Sequence, residues 1–76
     1  MTTKNPEIAK RAAYALLERE AQTGITTRDQ LEDMDLHRST FHAWQQLGRT
    51  PSGDVLRRMA LAGYDVLYIL TGRRTA

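Results

Sequence analysis

Residues 27–46 read TRDQLEDMDLHRSTFHAWQQ, and their punctuation decides the fold. Thr26 or Thr27 suits a helix N-cap, because a hydroxyl accepts from the free N–H groups of the first turn. Asp29 or Gln30 would complete a capping box. The helix is short, about eight residues, with Leu31 and Met34 facing inward. Asp35 follows it, and Asp tolerates the left-handed turn conformation better than most residues. A second helix is predicted from about Arg38 to Leu47. His37 or Ser39 begins it, Gly48 ends it, and Phe41 and Trp44 at i,i+3 are its apolar anchors.

The flanks carry the same signals. Upstream, Asn5 caps, Pro6 suits the first helical position and Glu7 adds negative charge to the first turn. That helix runs through IAKRAAYALLEREAQT to Gly24, with Ile8, Ala12, Ala15, Leu16 and Arg19 on one face. Downstream, RTPSG is a turn and Ser52 caps the helix DVLRRMALA, whose inner face is Val55, Leu56, Met59 and Ala60. Gly63 stops it. Asp65 caps a last short helix, VLYILT, which Gly72 ends before a frayed basic terminus. No stretch alternates with period two. The expectation is therefore all-α, a compact bundle of four to five short helices forming one domain over residues 1–76.

A chain of 76 residues without cysteine has no disulfide framework, thiol nucleophile or Cys-based metal site. The N-terminus shows no apolar leader, and the longest apolar run, Val66 to Leu70, is far too short to span a bilayer. A cytoplasmic protein is expected. Domains this small have marginal cores, and oligomerisation is a common remedy. Val66, Leu67, Tyr68, Ile69 and Leu70 are apolar all round, so the last helix either plugs the core or shares that role with a dimer interface through Val66, Tyr68 and Ile69, within about residues 65–71.

The net charge of +2 conceals a strong asymmetry. Residues 24–35 sum to −3, whereas residues 36–63 sum to +3. The basic stretch includes the predicted helix from Arg38, which contains no acid. Basic surface focused on one region is the footprint of a polyanion binder. A short helix, a tight turn and a second helix with an inward aromatic pair also form the helix-turn-helix pattern, over about residues 27–46.

The quoted stretch, read on to Arg74, resembles the DNA-binding domain of Cro-type (XRE-like) phage repressors. The matching segments are LHRSTFHAW, the RTPS turn and the ending AGYDVLYILTGRR, within about Thr23 to Arg74. The chain departs from the family at Gln30, Leu31 and Asp35, where Leu, Ala and Gly are usual. The resemblance implies a repressor-like bundle that binds operator double-stranded DNA as a homodimer. Arg38 and Ser39 would then begin the recognition helix and face the major groove. Arg38 either reads guanine through two hydrogen bonds or clamps a phosphate. His42 and Ala43 lie one turn on and either contact bases or face solvent. Thr27, Arg28, His37, Thr40, Gln46 and Arg49 would contact phosphates.

Catalysis is not expected, and neither is a cofactor or a metal. His37 and His42 are five apart and do not share a helical face as an i,i+4 zinc pair would. The sequence has no glycine-rich phosphate loop. A small prokaryotic or phage transcriptional regulator, nucleoid-associated, is the expectation. The rival is an adaptor that uses the helix-turn-helix as a scaffold and binds a protein, anti-activator or antitoxin fashion, through its apolar C-terminal helix.

Overall fold

A computed structural model describes residues 5–74. Five helices follow one another: α1 (Pro6–Thr23), α2 (Thr27–Asp33), α3 (Arg38–Leu47), α4 (Gly53–Leu61) and α5 (Val66–Thr71). Each begins on a side-chain cap that answers its free N–H groups. Asn5, Thr26, His37, Ser52 and Asp65 accept from the amides of Ile8, Asp29, Ser39, Val55 and Tyr68 respectively. Thr26 therefore caps α2 and His37 begins α3, which resolves the two alternatives open in the sequence. Gly24, Gly48 and Gly72 close their helices in the left-handed conformation, and Asp35 takes a positive φ of 56° at the α2–α3 turn.

The long helix α1 is the post against which α2, α3 and α5 pack, while α4 packs on α5. Its buried face is Ala9, Ala12, Ala13 and Leu16. Small side chains let neighbouring helices come close, so one 18-residue helix serves several partners. The face lies off the predicted line, since Ile8, Ala15 and Arg19 sit half-buried at its margins. Leu31 and Met34 reach the core as expected, joined by Trp44, Met59, Tyr64 and Ile69. Ala60, predicted on the inner face of α4, is exposed instead.

Three arginines tie the helix ends together. Arg11 donates through Nε to the Ile69 carbonyl at 2.8 Å, Arg19 to the Ala62 carbonyl at 3.0 Å, and Arg58 to the Asp35 carbonyl at 3.0 Å. These carbonyls lie at the C-terminal ends of α5, α4 and α2, where acceptors lack helical partners and a cation meets the negative end of the helix dipole. The expected fraying of the basic end does not extend to Arg74. Its guanidinium lies 4.0 Å over the Tyr68 ring and 3.2 Å from both Glu18 carboxylate oxygens, folding the chain back onto α1.

Candidate nucleic-acid interface

The site is built on α3. Trp44 is buried and Phe41 meets it edge-on, with ring centroids 6.1 Å apart at 63°. This aromatic pair fixes the helix by one side. Arg38, Ser39, His42, Gln45 and Gln46 are consequently exposed on the other, at mutual spacings of three and four. Ala43 and Thr40 are half-buried where this face turns toward α4. There, Ser39, Thr40, Ala43, Arg49 and Ser52 line a shallow cleft. The Arg49 amide donates to the Ala43 carbonyl at 3.1 Å, which holds Arg49 at the end of the same face.

The start of α3 is set by an imidazole. His37 Nδ1 accepts from the Ser39 amide at 3.1 Å and lies 2.9 Å from the Ser39 hydroxyl. An acceptor at Nδ1 places the ring proton on Nε2, the tautomer assigned from the network. His37 is thus a cap first, with Nε2–H its remaining donor. Ser39, expected at the groove, is partly engaged by that imidazole.

The charges divide into used and unused. In the basic stretch, Arg57 and Arg58 both reach Asp54, at 3.2 and 3.1 Å. Arg58 also closes the end of α2. Arg38 and Arg49 have no ion pair among the described residues, so two unpaired positive charges flank the exposed side of α3. Arg28 pairs with Glu32 at 3.4 Å in an exposed contact that a phosphate could displace at small cost. Thr27 donates its hydroxyl to Glu20 at 3.1 Å. It also lines, with Arg28, His37 and Arg38, the open cleft between α2 and α3. Its predicted phosphate contact therefore competes with a carboxylate already in place.

Sequence reasoning missed the support beneath this face. Gln30 is buried, its Nε2 donating to the Leu16 and Ile25 carbonyls at 2.9 and 3.0 Å, while Tyr64 donates its hydroxyl to Gln30 Oε1. Arg19 stacks 3.7 Å over the Tyr64 ring. Burial pushes the Tyr64 phenol above its ordinary value. The Arg19 charge and its hydrogen bond oppose that rise, and Asp33 adds to it. The available signal was spacing: Gln30 precedes Met34 by four and so shares its inward side.

The predicted dimer residues fall differently. Ile69 is fully buried and belongs to the core, and Val66 and Tyr68 are half-buried. The side chains that α5 leaves open are Leu67, at 60% exposure, and Leu70, at 41%. The expectation that Ile69 joins a dimer interface is therefore corrected: it is a core residue, because α5 plugs the space beside α1 with one of its two apolar sides. No group of three or more metal-ligating side chains occurs among the described residues, and no described helix is long and apolar enough to cross a membrane. No family model, no curated protein and no solved structure matches the chain.

Proposed function

We propose that the chain is a small sequence-specific DNA-binding regulator that acts by occupying an operator. In this reading α2 and α3 are a helix-turn-helix, α2 bracing across the backbone while α3 enters the major groove. The observation that carries it is the exposed, acid-free side of α3, bounded by Arg38 and Arg49 with no carboxylate on either among the described residues. Arg38 has the forked donors that match guanine O6 and N7, and His42 and Ala43 lie one turn further along the same helix. His37 Nε2, Thr40, Gln46 and Arg49 surround that face as phosphate contacts that fix register. A pair of copies joined through Leu67 and Leu70 would bind two half-sites, which requires its two α3 helices to lie about one helical turn, about 34 Å, apart.

The test is a gel-shift titration on random duplex at low and moderate salt. Counterion release requires the logarithm of affinity to fall linearly with the logarithm of salt, with a slope near −0.9 per neutralised phosphate. A steep slope supports the reading, followed by selection of bound fragments from a random library to read the operator. No shift at low salt would overturn it.

A further inference from the structure

A second furnished surface lies along α1 and meets the exposed side of α3 only at Gln45. Lys10, Tyr14 and Leu17 occupy positions i, i+4 and i+7, a single stripe about 10 Å long at 1.5 Å per residue. They line one wall of an open groove of about 610 Å³, whose other wall includes Tyr68 and Arg74. Tyr14 is 51% exposed and Leu17 is 40% exposed, large apolar surface for a chain this small. A cation stands at each end. Lys10 marks one, and Arg74, clamped over Tyr68 and against Glu18, marks the other. Arg11 adds a third positive charge, and no carboxylate among the described residues lines the groove.

We propose that this groove binds a short acidic amphipathic helix of a second protein. Two apolar residues of that helix, three or four apart, would sit among Tyr14, Leu17 and Tyr68, the usual anchor spacing of a helix in a groove. Its flanking carboxylates meet Lys10 and Arg74. The exposed Arg74–Glu18 pair contributes little on its own, so Arg74 can turn to a guest carboxylate at small cost. Duplex DNA matches the charge but gains nothing from the aromatic and leucine walls. A second copy across a two-fold axis would set the same patch against itself and oppose like cations, which disfavours that pairing. The assignment is independent of what α3 binds.

The experiment is selection from a displayed library of helical peptides on the intact chain, followed by fluorescence anisotropy with the synthesised consensus. Enriched sequences should carry two apolar residues three or four apart, flanked by Asp or Glu. Leu17→Glu should weaken the consensus peptide by about tenfold or more while the chain keeps its helical circular dichroism, because Leu17 lies outside the buried core. Lys10→Glu should weaken it too, and a peptide with Lys in place of its acids should regain affinity for that variant. Absence of enrichment, enrichment without acidic residues, or binding indifferent to Leu17→Glu would each overturn the proposal. So would a fall in sedimentation mass on Leu17→Glu, which would assign the groove to a second copy of the chain.

Discussion

Tyr64, in the link between α4 and α5, donates its hydroxyl to Oε1 of Gln30 on α2, 34 positions earlier in the chain. The Gln30 amide group is in turn saturated by the carbonyls of Leu16 and Ile25. One buried side chain thereby joins α1, the loop before α2, and the α4–α5 link, and no buried side-chain polar atom among the described residues is left without a partner. A satisfied network of this kind specifies one packing. Partly dismantled, it leaves a buried donor or acceptor stranded.

The first prediction concerns that network. Gln30→Leu keeps the volume but leaves the Tyr64 O–H without its acceptor and the Ile25 carbonyl without its side-chain donor, and should cost about 1–3 kcal/mol in urea unfolding. Tyr64→Phe alone should cost less. In the double variant the stranded hydroxyl is gone, so the combined loss should fall short of the sum. Strict additivity would show that the two side chains do not act together.

The raised Tyr64 phenol makes a pH prediction. In the unfolded chain a tyrosine ionises near pH 10, whereas burial keeps the folded hydroxyl protonated to higher pH. Its contribution to stability is fully present below about pH 10 and is lost as pH rises through the folded value above that. Urea midpoints should therefore fall more steeply above about pH 10 in the native chain than in Tyr64→Phe. Equal slopes would remove this titration from the account.

Asp35 offers a test of backbone strain. Its φ of 56° is a left-handed geometry that costs a residue with a Cβ more than it costs glycine. Its carbonyl, which Arg58 binds, survives substitution. Asp35→Gly should thus stabilise the fold by about 0.5–1 kcal/mol, and Asp35→Val should destabilise it by more. Thermal melts of the two variants check the opposite signs.

The caps and stops were legible because they are local. Asn5, Ser52, Asp65, the closing glycines and the turn at Asp35 each depend on a few neighbouring residues. The inward side of α1 was only approximately legible, since Ala9 and Ala15 are equally apolar and packing of α3 and α5 chooses between them. Gln30 reads in the sequence only as a capping-box residue and as a departure from the family's Leu, because its burial depends on Leu16 and Tyr64, 14 and 34 positions away. The sum over the basic stretch did not show how its charge is shared. Arg57 and Arg58 share the single Asp54 carboxylate and Arg58 also binds the end of α2, while Arg38 and Arg49, unpaired among the described residues, carry theirs at the exposed side of α3. The exposed face of α3 itself was legible from Phe41 and Trp44, whose i,i+3 spacing defines the opposite side.

Arg38 and Arg49 should differ in how their loss is felt. Arg38→Ala should cost about 1–3 kcal/mol on a selected site and relax preference at one base position. Arg49→Ala should weaken all duplexes alike and lower the salt slope by about one. Gel shifts on selected and random duplexes at two salt concentrations separate these outcomes. A uniform loss for Arg38→Ala would make it a phosphate contact.

The last prediction separates the two sides of α5. Ile69 is fully buried against α1, so Ile69→Glu places a carboxylate in an apolar core and should unfold the chain, visible as loss of helical circular dichroism. Leu67 is 60% exposed, and Leu67→Glu should retain the native far-ultraviolet spectrum. If α5 joins two copies through its open edge, that same variant should sediment as a monomer at concentrations where the native chain is a dimer. It should also lose affinity for a two-half-site operator far more than for a single half-site, because linking two sites raises the effective concentration of the second. A folded Leu67→Glu variant with native mass and undiminished operator affinity would remove α5 from the interface and leave its function in the core alone.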